Sequence, residues 1–241
     1  LKRVGIPVHI FLFVLAALLA PDIVRNVRAT PRGAQPASLT ENQVLSHMDE
    51  IAQTVKTVSA HLEYTTVTVL VNDRSTQNGQ IFYRKGKRPE VLVKFTAPEP
   101  KEILFKKNRA EIYYPKINQI QEYDLERRRD VLQQFLLLGF GTESSKLEQS
   151  YRIRYLGEQK LGNEAFPVLE LTPIEKDIAA QLSKVELWIS PGSWLPVQQQ
   201  FFEPSGDYLI ARYSNMKINR ELGPSVFKIH PKPGVERMKM N

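Results

Sequence analysis

Between Gln80 and Tyr123 four or five short apolar segments follow one another, separated by turns of only a few residues. Connections that short leave no room for a crossover, so neighbouring strands have to run antiparallel. The spacing predicts strands over residues 80–84, 91–96, 102–107, 110–114 and 119–124. A period of two also begins near Leu62, with β-branched residues dense over 65–71, and Asn78-Gly79 reads as the hairpin turn between that strand and 80–84. The alternation resumes at 151–156, 165–172, 184–190, 194–203, 208–219 and 226–230. Pro191-Gly192 and the cluster Pro204-Ser205-Gly206-Asp207 make the later strands consecutive hairpins.

Two other segments break this rhythm. Thr40 with Gln43 three residues on has the form of a capping box. After it Val44, Met48, Ile51, Val55 and Val58 form one apolar stripe, widened by Leu45 and Ala52, on a helix of about five turns. Residues 125–138, with Val131, Leu132, Phe135, Leu136 and Leu138, suit a short helix ended by Gly139 and Gly141, and a second short helix is expected over 143–149. The expected fold is α+β: one strongly curved antiparallel sheet of about 10–11 strands with helices over its concave face. An open sheet so wide is expected to curl.

The N-terminus predicts export. Lys2-Arg3 precedes an uninterrupted apolar run over residues 10–20, eleven residues where a membrane span needs about 20. Residues 1–29 are expected to be a signal peptide, 30–38 a linker and 39–241 a single domain. An uncleaved anchor is the alternative. The formal net charge is +7, of which residues 1–29 carry +3, leaving +4 on a chain that starts at Thr30. The basic residues are scattered among acids, which points away from nucleic acid. With no cysteine the chain has no disulfide, and its core alone holds it together.

Residues of catalytic type lack companions. The histidines are His9, His47, His61 and His230, none at metal-ligand spacing. Gly-x-Ser-x-Gly does not occur, and Gly139-Phe140-Gly141 lacks the third glycine of a nucleotide loop. Glu122, Asp124, Glu126 and Asp130 beside Arg127-Arg128-Arg129 read as a solvated, ion-paired face, with docking to an acidic partner or lipid headgroups as the alternative for the arginines. The expectation is a protein that is not an enzyme and needs neither metal nor cofactor.

Three stretches bear on a family: residues 79–89, which end in Arg88-Pro89; Phe95-Thr96-Ala97-Pro98; and Tyr113-Tyr114-Pro115. The end of the chain adds Phe227-Lys228-Ile229-His230-Pro231-Lys232-Pro233-Gly234-Val235. In this order the segments resemble the LolA family of periplasmic carriers of outer-membrane lipoproteins, over about residues 40–237. The resemblance implies an incomplete β-barrel whose apolar cavity shields the acyl chains of lipoproteins moving from the inner to the outer membrane. It implies Arg88 as a latch that holds the lid in the ligand-free form. Cavity or lid positions are Phe82, Leu92, Phe95, Leu104, Tyr114, Val131, Phe135, Leu136, Trp188 and Phe201. Implied partners are acylated lipoproteins or other lipids, an inner-membrane lipoprotein-releasing transporter and an outer-membrane acceptor, with the protein itself a periplasmic monomer. The alternatives are a LolA-like paralogue that carries another lipid or senses mislocalised lipoproteins, and an envelope hydrolase or structural protein. Val91-Leu92-Val93 places apolar side chains on both faces of its strand, which a fillable cavity and a filled two-sided core both require.

Overall fold

The computed structural model describes residues 39–125 and 140–240. The expected signal peptide (1–29), linker (30–38) and helix over 125–138, with Val131, Phe135 and Leu136, lie outside the described residues apart from Leu125.

The described chain opens with a helix α1 (Glu41–Thr54) and then forms two meanders. The first is β1 (Thr57–Thr68), β2 (Asp73–Arg84), β3 (Glu90–Ala97), β4 (Lys101–Lys106), β5 (Arg109–Tyr114) and β6 (Gln119–Asp124). A short helix α2 (Ser144–Ser150) leads to the second: β7 (Tyr151–Leu161), β8 (Glu164–Pro173), the single-turn α3 (Lys176–Ala179), β9 (Lys184–Ile189), β10 (Pro196–Phe202) and β11 (Tyr208–Ile218). A last strand β12 (Glu236–Met240) brings the sheet to twelve strands, in the order β12-β6-β5-β4-β3-β2-β1-β11-β10-β9-β8-β7. The sheet is curved and unclosed, as expected, and joins its two meanders through β1 and β11.

All neighbours pair antiparallel except β12, which runs parallel to β6. Parallel pairing needs a crossover, and residues 219–235 supply it by passing over the outer face of the first meander. The strand expected over 226–230 is therefore part of this strap, and Phe227 anchors it. Phe227 is fully buried against Leu92 and Leu104, with Phe82, Leu222, Val226 and Ile229 around it. Arg84 lies over the Phe227 ring (4.4 Å) and donates to the Leu222 carbonyl (3.3 Å), while Lys106 donates to the Phe227 carbonyl (3.2 Å). Both cations also meet Glu90, Lys106 at 2.8 Å. Burial works to raise the Glu90 carboxyl, but its hydrogen bonds and charges from Lys106 and Arg84 outweigh that and hold it below the usual range.

Two local expectations change. Asn78-Gly79 is not a turn: both residues sit inside β2, and the β1–β2 hairpin turns at Val69-Leu70-Val71-Asn72, where Asn72 takes φ +49°. Gly79 lies where the β2–β3 register shifts, and a Cβ there would stand 2.1 Å from the Lys94 carbonyl oxygen. The glycine is needed for close approach of two strands rather than for a turn. Helix α1 has the expected capping box, with Gln43 N–H donating to Thr40 Oγ1 (3.3 Å) and Thr40 N–H to Gln43 Oε1 (2.9 Å). It ends at Thr54, however, and Val58 belongs to β1. Val55, Thr57 and Val58 are β-branched and favour the extended backbone that begins at Val55.

Antiparallel pairing sorts the strand ends into two groups. The β2–β3, β4–β5 and β9–β10 turns, the start of β1 and the end of β11 share one end of the sheet with the C-terminus of α1. The β1–β2, β3–β4, β5–β6 and β10–β11 hairpins share the other.

Candidate functional site

The concave face and the helix across it form the candidate site. Alternation sends Val58, Ala60, Leu62 and Tyr64 of β1 inward, with Ile81 and Tyr83 of β2, Val91, Val93 and Phe95 of β3, and Ile103 and Phe105 of β4. The second meander adds Leu169, Leu171, Val185, Leu187, Ile189, Phe201, Leu209 and Ala211. Val44, Leu45 and Met48 of α1 pack into the same cluster.

Polar ties hold α1 in place along its length. Glu41 Oε2 accepts from Tyr155 N–H of β7 (2.8 Å). His47 stacks on Trp194 (4.1 Å between centroids, 18°), which sits at φ +52° in the β9–β10 turn. Asp49 accepts from the Ser144 N–H and hydroxyl (2.6 Å each), so an acid from α1 satisfies the N-terminus of α2, where Glu143 provides no side-chain cap. At the C-terminus, which has no basic residue of its own in the last turn, Lys85 Nζ donates to the Ala52 carbonyl. Asn219 Nδ2 donates to the Thr54 carbonyl (3.0 Å), and Asn219 Oδ1 accepts from Lys56 N–H (2.6 Å). A cation against helix-end carbonyls stabilises by roughly 0.3–1 kcal/mol, and by up to about 2 when partly buried.

The residues named from sequence divide between the two faces. Phe95 and Phe201 are in the inner cluster, and Tyr114 packs against it. Phe82, Leu92 and Leu104, expected in the cavity or lid, lie on the outer face beneath the strap. Trp188 is likewise on the outer face, with Phe166 and Val168. The reason is parity: Val91 and Val93 point inward, so Leu92 between them cannot. Arg88 is exposed in the β2–β3 turn and makes no hydrogen bond or ion pair among the described residues; Lys85, three residues earlier, reaches α1 instead. Sequence reading passed over Glu41, Asp49 and Asn219. Glu41 in the first helical turn was the visible signal; nothing local marks the other two, whose partners are far along the chain.

The interior is not wholly apolar. Tyr213 donates to Gln199 Oε1 (2.7 Å), and Gln199 is 1% exposed. The hydroxyls of Tyr151 and Tyr155 are buried without a hydrogen-bond partner among the described residues. Burial raises the pKa of both, and pushes Tyr83 up to about 12. These phenols stay neutral donors at any physiological pH. Among the described residues no group of three or more His, Cys, Asp or Glu is placed to hold a metal ion, and no helix is long and apolar enough to cross a membrane.

At the far strand ends Glu203 is pushed up to about 7, first by burial and then by the Asp207 charge, against a smaller opposing bond from Ser205. A carboxyl whose folded value exceeds its ordinary 4.5 binds its proton more tightly when folded. Its effect on stability is thus most favourable below about pH 4.5 and is lost as pH rises through about 7. Glu203→Gln is expected to raise the urea midpoint at about pH 8 and leave it unchanged at about pH 4. Equal shifts at both values would remove Glu203 from the pH dependence.

A family model described as an uncharacterized protein matches residues 90–229, more than half of the chain. No curated protein matches the sequence. Among solved structures, an uncharacterized conserved protein from Thermus thermophilus superposes with a TM-score of 0.54 at 12% identity, over 83% of this chain and 98% of that one. A LolA superfamily protein from Nitrosomonas europaea gives 0.40 at 19% identity, over 80% and 99%. The Mycobacterium tuberculosis lipoprotein LppX gives 0.44 at 9% identity, over 76% and 99%. At such identities the likeness to the Thermus protein speaks for a common fold alone. With the family model spanning more than half of its length, the chain belongs to that family of uncharacterized proteins.

Proposed function

We propose that the protein is a periplasmic carrier that shields acyl chains of lipoproteins on its concave face and moves them between membranes. The observation that supports this best is the pairing of an apolar concave face with a helix tied down by separable polar contacts. Helix α1 also buries Val44, Leu45 and Met48 in the inner cluster, so an incoming acyl chain has to replace that apolar contact. Ties through Lys85, Asp49, Glu41 and Asn219 can be exchanged for water at low cost, since a surface-accessible hydrogen bond contributes only about 1 kcal/mol net. Displacing α1 exposes the inner cluster to a hydrocarbon chain, whose burial contributes about 0.8 kcal/mol per CH₂. The hydroxyls of Tyr151 and Tyr155 supply donors for the ester carbonyls of such a cargo. Because a few acyl chains bind tightly, unloading requires a partner that stabilises the closed or the empty state.

Mass spectrometry of material extracted from the purified protein is the direct test: acyl-bearing lipid or lipopeptide is expected, and protein that neither retains nor takes up any would sink the carrier reading. For the helix ties, Lys85→Gln removes the charge from the end of α1. Uptake of a fluorescent acyl probe is expected to accelerate about fivefold, the equivalent of about 1 kcal/mol, while Arg88→Gln leaves the rate unchanged. Identical rates for Lys85→Gln and the parent would show that α1 does not gate the interior.

A further inference from the structure

Basic side chains without an acidic partner gather along one stretch of strand ends. The end that carries the α1 C-terminus presents Lys56, Lys87, Arg88, Lys107, Arg109 and Arg220, all exposed and without an ion pair among the described residues. Contacts place them on neighbouring strand ends. Thr57 Oγ1 donates to the Arg220 carbonyl (2.6 Å), Lys85 N–H donates to the Lys56 carbonyl (2.7 Å), and Lys106 pairs with Arg109 across the β4–β5 turn that contains Lys107. The run crosses six adjacent strands, β5-β4-β3-β2-β1-β11, or about 24 Å at ~4.8 Å per strand. Of the acids on these ends, Glu90 is already neutralised between Arg84 and Lys106, which leaves Glu221.

The five large hydrophobics exposed among the described residues all lie elsewhere. Val69, Val71, Ile117 and Ile174 are at the opposite strand ends, and Met238 is on β12. Acids and bases alternate at those ends: Asp73 beside Arg74, Glu99 paired with Lys116, and Glu175 and Asp177 flanking Lys176.

We infer that the basic end is a docking surface for the anionic headgroups of a lipid bilayer. A protein interface has an apolar or aromatic centre inside its polar rim, and among the described residues this end exposes no large apolar side chain. A charged bilayer requires only a broad row of long, mobile cations, each contributing about 1 kcal/mol near the surface. Docked in this way the protein brings the Lys85–Ala52 tie to the membrane, so that the helix end released for loading faces the lipid. This orientation rests on the carrier reading; the docking itself does not.

The test is flotation of the full chain with phosphatidylcholine vesicles, with and without phosphatidylglycerol. The apolar N-terminus with its net charge of +3 contributes equally in every variant, so the change in anionic preference between variants reads the basic end. Wild type is expected to favour the anionic vesicles in a salt-sensitive manner. Lys87→Gln/Arg88→Gln/Lys107→Gln is expected to weaken that preference about a hundredfold, at about fivefold per charge. Arg74→Gln/Lys116→Gln/Lys176→Gln, an equal charge loss at the opposite end, should weaken it less than about fivefold. Unchanged urea midpoints confirm that both triple variants fold. Equal losses in the two variants, or no preference for anionic vesicles, would overturn the proposal. Binding to polyglutamate but not to anionic vesicles would overturn it in favour of an acidic protein partner. Anionic-vesicle binding by a protein that takes up no acyl probe would leave the docking surface standing and the carrier reading refuted.

Discussion

Phe227→Ala is expected to lower the unfolding free energy by about 3–5 kcal/mol, the usual cost of deleting a buried aromatic ring. Phe227 is fully buried against Leu92 and Leu104 and is the one buried residue of the strap, with Leu222, Val226 and Ile229 only partly buried around it. The loss is expected to extend beyond a cavity. Phe227 is what holds residues 219–235 against the outer face, and those residues carry the chain to β12. Without the ring, Arg84 loses the aromatic face 4.4 Å beneath it, and the strap is left with partly buried Leu222, Val226 and Ile229 and with hydrogen bonds to Thr57, Arg84, Lys106, Tyr113 and Asn118. Limited proteolysis should therefore cut near residues 220–235 before the sheet unfolds, while a urea titration gives the total loss. Phe227→Leu keeps most of the apolar burial and should recover most of the stability. A loss below about 1 kcal/mol for the alanine variant would mean that the strap does not depend on this anchor.

Gly79→Ala is the second large effect, by the opposite mechanism. The added methyl would stand 2.1 Å from the Lys94 carbonyl oxygen and 2.9 Å from the Lys94 carbonyl carbon and Phe95 Cα. All three are backbone atoms of β3, so no side-chain rotation relieves the contact. β2 and β3 must separate or the register shift between Asn78 and Gly79 must move, and inward-facing Phe95 moves with it. A loss of at least about 3 kcal/mol is expected, at the upper end of overpacking costs. Asn78→Ala beside it is the control: Asn78 is exposed, and the change should stay within about 1 kcal/mol. Equal midpoints for Gly79→Ala and the parent in urea would contradict the close approach.

Particular residues show how far the sequence could be read. The strand segments and their antiparallel order were legible because side-chain alternation and short connections are local properties. The capping box at Thr40 was legible for the same reason. The Asn78-Gly79 pair misled because glycine serves two ends: it permits a positive φ in a turn, and it permits two backbones to touch inside a sheet. Only the position of β3 separates these cases. Val58 misled because a residue three places after Val55 suits both the stripe of a helix and the parity of the strand that follows.

The division of the candidate site has the same origin. Val91, Leu92 and Val93 are all apolar, so sequence could state that both faces of β3 are covered but not which cover belongs to which face. The strap decided it, by seating Phe227 on Leu92 and leaving Val91 and Val93 to the interior beneath α1. The cation at the helix end follows this pattern. Lys85, Lys87 and Arg88 are equivalent in composition, and the turn geometry gives Ala52 to Lys85 while leaving the other two exposed. By itself the sequence determined an antiparallel, two-sided apolar sheet with a capped helix before it and a cluster of basic residues between β2 and β3. The tertiary structure alone decided which face is interior, what ties the helix across it and how the basic residues gather at one end. Those features depend on residues up to 165 positions apart, such as Thr54 and Asn219, and no local pattern records which distant segments will meet.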